Sequence, residues 1–129
     1  MAIKFKSNLR VFVYSEYIDL RGGFDKLTML VREKMGRQLV DGDLFLFLGG
    51  DRKKCKAICY DGTGVVLICK RIERGKFMRL EDLEEGEITV EELDWLLRGS
   101  IIRRPKFGEI PIDNRPNKMM MASTNYGAS

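Results

Sequence analysis

Between Asp51 and Arg79 the chain carries nine cationic side chains, Arg52, Lys53, Lys54, Lys56, Lys70, Arg71, Arg74, Lys76 and Arg79, against three carboxylates. Cations at that density neutralise phosphates, and phosphate contacts give affinity for nucleic acid without reading its sequence. The next segment has the opposite sign: Leu80 to Arg98 holds eight carboxylates and one arginine. Two readings therefore compete. Either the basic block is open to an outside polyanion, or the acidic block meets it within the molecule. The acidic block is also a docking surface in its own right, with Glu84, Glu85 and Glu87 as the candidate protein contacts.

Other chemistry is narrower. The chain has no histidine, so no imidazole base, Ser-His pair or Cys-His pair exists. Its three cysteines are Cys55, Cys59 and Cys69, an odd count that suits free thiols better than a disulfide framework. Strand alternation puts Cys55 and Cys59 on one face about 13 Å apart, with Cys69 on the other, too far for one zinc ion. A carboxylate site for divalent cations would have to use Asp19, Asp61 and Glu73, and turn and helix-start roles explain the aspartates more simply. Asp61-Gly62-Thr63-Gly64 resembles a phosphate loop only in composition, since no Lys-Ser/Thr pair opening a helix follows. No catalytic residue, metal ligand or cofactor is expected.

The elements that position these groups follow from pattern. Leu9 to Tyr14 is rich in β-branched and aromatic residues and predicts a strand. Leu20, Phe24, Leu27, Val31 and Met35 form one helical stripe, with Asp19 as its N-cap and Gly36 as its C-terminal signal. Leu44 to Leu48 is a continuous apolar run suited to a buried strand. Lys53 to Tyr60 and Val65 to Lys70 flank the Asp61–Gly64 turn as a hairpin, in which Tyr60 pairs with Val65, Lys56 with Cys69 and Cys55 with Lys70. That register gathers the cations toward the open end of the hairpin.

Lys76 to Leu80 is a candidate edge strand, and Glu81 to Glu87 an acidic loop. Thr89 and Glu92 have capping-box spacing, Ile88 and Leu93 staple spacing, and Gly99 the place of a C-terminal glycine. Phe24, Phe77 and Trp95 are expected to pack, and Gly62 and Gly64 to permit the reversal that Asp61 holds.

The fold class is therefore α+β: a small antiparallel β-meander with an N-terminal helix and a C-terminal helix packed on it. Residues 1–99 form one domain and residues 100–129, with Pro105, Pro111, Pro116 and Met119-Met120-Met121, an extended or disordered tail. No apolar run is long enough to span a membrane, and Met1 to Lys6 lacks a signal-peptide pattern, so a cytoplasmic location is expected.

Five stretches carry a family resemblance: Asp19 to Asp25, Leu44 to Leu48, Lys56 to Gly64, Lys70 to Phe77 and Leu93 to Gly99. In this order, over roughly residues 9 to 99, they resemble the TnpB accessory protein of insertion-sequence family sixty-six. Asp61-Gly62-Thr63-Gly64 followed by Lys70-Arg71-Ile72-Glu73-Arg74-Gly75-Lys76-Phe77 is the most specific part. The family often has aromatics where this chain has Cys59 and Cys69. The resemblance implies a non-enzymatic role in transposition beside two other element-encoded proteins, a carboxylate-triad transposase and a second accessory protein. It makes Asp19, Arg21, Phe24, Asp61, Gly62, Gly64, Gly75 and Phe77 motif positions of architectural weight. It supplies no catalytic residue.

Overall fold

The computed structural model describes residues 8–40, 42–102 and 104. Strands β1 (Arg10–Val13), β2 (Asp43–Leu48), β3 (Lys54–Tyr60), β4 (Val65–Arg71) and β5 (Glu87–Ile88) form one sheet in the order β4-β3-β2-β1-β5. Helix α1 (Phe24–Met29) lies between β1 and β2 and continues into a π-helical turn, Leu30–Lys34. Helix α2 (Val90–Leu97) follows β5.

The apolar run of β2 is central because it is buried at every position, as a strand covered on both faces must be. Phe45 and Phe47 face Phe12, Tyr14 and Ile58, and this face is covered by Leu27, Leu30 and Val31 of the α1 segment. Leu44, Leu46 and Leu48 face the other way with Val11, Val13, Cys55, Ala57 and Cys59, under Phe77, Met78, Leu96 and Ile102. The α1 segment and α2 thus sit on opposite faces of the sheet.

The sheet is mixed, which corrects the all-antiparallel meander. β2, β3 and β4 do form a meander, but β1 runs parallel to β2, with Arg10 beside Asp43 and Val13 beside Leu46. A parallel pair needs a crossover, and the α1 segment supplies it. The pair is clamped where it begins: the guanidinium of Arg10 donates to both oxygens of buried Asp43, at 2.8 and 3.0 Å.

Several local expectations also change. The helix begins at Phe24 with Gly23 before it, so Asp19 caps nothing; Gly22-Gly23 disfavours a helical first turn. Phe24 therefore points outward and is 48% exposed, and Trp95 is 44% exposed on the outer side of α2. Lys76 to Leu80 is not a strand. Phe77 and Met78 plug the core from a loop that ends in a 3-10 turn, Leu80–Asp82, and the fifth strand is Glu87–Ile88, antiparallel to β1.

The hairpin register is the expected one, Tyr60 with Val65 through Lys54 with Arg71. In its turn Asp61 Oδ1 accepts from the Thr63 amide, the Thr63 hydroxyl and the Gly64 amide. Gly62 alone of the two turn glycines needs a left-handed φ, +100°. Thr89 and Glu92 form the reciprocal capping box, and Ile88 and Leu93 share one core cluster. Pro105, Pro111, Pro116 and the methionine triplet lie outside the described residues.

Truncating Phe45 removes a ring stacked on Phe12, with centroids 5.5 Å apart, at the centre of the sheet. Urea denaturation of F45A should show a loss of about 3–5 kcal/mol. F24A should cost about 1 kcal/mol or less, because half of that ring is already in water.

Candidate nucleic-acid interface

The cations of the hairpin lie around one end of the sheet. Backbone bonds draw the post-hairpin loop against the β2–β3 turn: the Ile72 amide donates to Lys53 O at 2.8 Å and the Phe77 amide to Arg52 O at 2.7 Å. Arg74 and Lys76 are therefore carried beside Arg52 and Lys53. Arg52 itself adopts a left-handed φ of 58°, unusual for a residue with a side chain. Asp51 holds the start of this turn by accepting from the Lys53 amide, and that bond together with the nearby Lys54 charge lowers its pKa.

Next to this end opens a cleft of about 650 Å³. One wall is the loop after β1, Ile18 to Arg21; the other is the open end of β2, β3 and β4. Arg21, Lys54, Lys56 and Arg71 line it against two carboxylates, Asp19 and Asp51, over a floor that includes Ile18, Leu20, Gly49 and Cys55; Lys70 also borders it, but its ammonium is on the other face. Two lysines stitch the loop in place: Lys56 Nζ donates to Gly22 O at 2.9 Å, and Lys26 Nζ to Asp19 O at 2.6 Å. Asp19 accepts the Arg21 amide and its guanidinium, contacts that pull the Asp19 pKa far below the usual carboxylate range.

Not all nine expected cations remain available. Lys70 projects to the opposite face, where its ammonium donates to Leu97 O at 2.8 Å and complements the C-terminal end of α2. Arg79 pairs with Asp82 at 3.2 Å. Lys54 lies 3.9 Å from Asp51, and Lys56 is held by Gly22. Arg52, Arg71, Arg74 and Lys76 have no side-chain partner among the described residues, and Lys53 makes no ion pair there, its charge acting on Asp51 only at longer range.

Where the acidic block is ion-paired among the described residues, its partners come mostly from outside the basic cluster. Arg104 donates to Glu92 at 2.6 and 2.7 Å, pairs with Glu85, and reaches Glu87 O at 3.0 Å; Arg98 pairs with Asp94. Of the basic cluster only Arg79 joins this network. Glu85 is thus engaged within the chain, while Glu84 and Glu87 are exposed at the rim. The hydrogen bonds from Arg104 hold the Glu92 pKa below 4.5, against a partial opposing effect of burial.

Sequence reasoning flagged Arg21 only as a motif residue and did not single out Arg104. The Asp19-x-Arg21 spacing before two glycines was the available signal for the first, since it favours an Asx turn over a helix start. Nothing local marks the second, whose partners lie 12 and 19 residues away. Asp61 and Glu73 lie beyond opposite ends of β4, so with Asp19 they cannot converge on one cation; among the described residues no group of three potential metal-ligating side chains forms. No helix among the described residues is long and apolar enough to cross a membrane.

Fold and site together define a small α+β module with a cation-rimmed cleft at one end of a mixed sheet. Residues 9–107 match the family described as IS66 Orf2 like protein, and the chain belongs to that family. It is 36% identical over 101 residues to a Sinorhizobium fredii protein named uncharacterized protein y4hO, covering 77% of this chain and 87% of the relative. It is 30% identical over 106 residues to a second, y4jC, from the same organism, covering 75% and 91%. No solved structure matches.

Two measurements check this geometry. Cys55 is buried with its thiol pushed up to about 11 by desolvation, Cys59 is buried and also raised, and Cys69 is exposed at the cleft. Iodoacetamide at pH 8 should alkylate Cys69 alone in the folded protein, read by peptide mass. The second concerns pH. Glu92 has a folded pKa below its unfolded value, so on acidification the unfolded chain takes up the proton first. The stabilisation is fully present above 4.5 and is lost as pH falls through the folded value. Arg104→Gln should flatten that acid limb in a urea-midpoint series, and an unchanged limb would remove Arg104 as its cause.

Proposed function

We propose that this chain is a non-enzymatic accessory protein of insertion-sequence transposition, holding DNA phosphates at the basic end of its sheet while another surface meets the element's transposase. The observation that carries the DNA half is the separation of charges. Four cations at one end, Arg52, Arg71, Arg74 and Lys76, lack side-chain partners among the described residues, with Lys53 beside them, while three of the four ion-paired carboxylates of the acidic block are served by Arg98 and Arg104. An end of that kind attracts a polyanion by releasing its counterions and needs no base contacts. The dispersal of Asp19, Asp61 and Glu73 supports the non-enzymatic half, because metal-assisted strand cleavage needs carboxylates that converge.

The surface offered to the transposase is the acidic rim at Glu84, Glu85 and Glu87, on the loop before β5 and on β5 itself. The second accessory protein of the element is a further partner on this reading. A pure protein-binding module would keep the rim and lose the DNA.

Binding of a duplex oligonucleotide across a salt series separates these readings. The expected result is an affinity that falls steeply with salt, with log K against log salt losing about 0.9 of slope for each phosphate contact removed. Replacing Arg52, Lys53 and Arg74 together by Gln should flatten that slope, whereas Lys70→Gln and Arg79→Gln should change it little. Undetectable binding at low salt would remove the DNA half. Charge reversal at Glu84, Glu85 and Glu87 that leaves copurification with the transposase intact would remove the other.

A further inference from the structure

The two edges of the sheet are unlike. β5 is a two-residue strand and offers almost no ladder. β4 is seven residues long, pairs continuously with β3 without a bulge, and contains no proline. Its first five residues, Val65 to Cys69, are apolar; charge appears only at Lys70 and Arg71. Edge strands are normally blunted by charge, proline, bulges or brevity, since their unpaired amides and carbonyls template another strand. None of these protects Val65 to Cys69.

The register shows which groups are unpaired. Ile72 and Lys53 bond at one end of the hairpin, and Asp61 and Gly64 at the other. Alternation from these pairs gives Val66, Ile68 and Lys70 the bonds to β3. Val65, Leu67, Cys69 and Arg71 then direct their amides and carbonyls outward, along an edge that no described strand covers.

We propose that the β4 edge is a homodimer interface, in which β4 of a second copy pairs antiparallel about a two-fold axis at Ile68. Self-complementarity of charge selects this occupant. With Ile68 at the axis, Leu67 lies opposite Cys69 of the second copy and Val65 opposite Arg71. Neither copy's cations face the other's, which antiparallel pairing permits and in-register parallel pairing does not. The carboxylate in the turn of the hairpin also helps: Asp61 accepts its three turn bonds on Oδ1 and leaves Oδ2 unpartnered among the described residues. The two-fold brings that anionic turn toward the cationic end of the other strand. Because the axis stands perpendicular to the sheet, both basic clefts open to the same side, with the two Arg71 positions about 20 Å apart along the strands.

The test is light scattering of the full chain over a concentration series, wild type beside Val65→Lys and Val65→Glu. Val65 is 41% exposed, so both variants should fold, which circular dichroism checks. The wild type should show a monomer–dimer equilibrium. V65K sets a lysine against Arg71 of the other copy twice over and should weaken the dimer at least tenfold. V65E makes an opposite-charge pair there and should match the wild type or exceed it. Amide exchange supplies a second readout, with protection at Leu67, Cys69 and Arg71 rising with concentration.

A monomer at every concentration would overturn the proposal, as would equal weakening by both variants. Edge amides protected in a monomer would assign the edge to another part of this chain, and edge amides protected only with transposase present would assign it to that partner; both outcomes overturn the homodimer.

Discussion

The burial of β2 on both faces is the constraint from which the rest of the architecture follows. Asp43 to Leu48 has no exposed position, so each face of the strand needs its own cover. A chain this short cannot supply two large layers. It uses the α1 segment with Leu39 and Met35 on one side, and on the other a composite of α2, the Phe77-Met78 loop and Ile102. The parallel pairing of β1 with β2 is the same constraint seen from the backbone. A strand leaving the sheet to lay a helix over one face returns in the same direction, and Arg10 with Asp43 fixes where the pair begins.

The cleft is a by-product of that crossover. Leaving β1, the chain must climb from the sheet to the helix layer, and Ile18 to Gly23 is the climb. An isolated bridge pairs Ile18 with Gly49, so the loop starts as an extension of the sheet before lifting away. Lys56 and Lys26 then hold its carbonyls. A side chain at Gly22 would press on Lys26, with a Cβ only 2.3 Å from Cδ of that lysine. The Asp19-Leu20-Arg21-Gly22-Gly23 stretch is therefore best understood as a loop that delivers Arg21 to the open end of the hairpin.

Hairpin, capping box and β2 were legible because each is written locally, in alternation, in a turn with Gly62, or in a three-residue spacing. The misread parts depended on tertiary choices. Phe24 satisfies helical periodicity yet faces water, because α1 is short and only Leu27 within it is buried, and Trp95, expected to pack, lies on the outer side of α2 where only Leu96 among its apolar residues is fully buried. Periodicity gives a stripe, not its depth. The parallel β1–β2 pair was implied by a strand, helix, strand order, but the clear hairpin downstream drew the whole sheet into one antiparallel pattern. Glu87–Ile88 is too short for any periodic signal, and β1 recruits it through neighbouring backbone. For the site, the register gathered the right cations at one end, and strand alternation already separates Lys70, on the face of Cys55, from Lys56; what it does not say is that Leu97 O waits there.

The segregation of charge explains why a basic end persists in a molecule with a nearly equal acidic block. Opposite charges a few ångströms apart would cancel if the chain brought them together, and contiguity in sequence favours that outcome. Instead the Phe77-Met78 loop dives into the core between them, which anchors Arg52, Lys53, Arg74 and Lys76 on one side and sends the acidic residues around to α2 and β5. There Arg104, from outside both blocks, supplies much of the missing positive charge to Glu85 and Glu92. The core plug thus does electrostatic as well as packing work. Phe77 and Met78 keep the two fields apart, and Arg104 quiets one so that the other remains unspent at the end of the sheet.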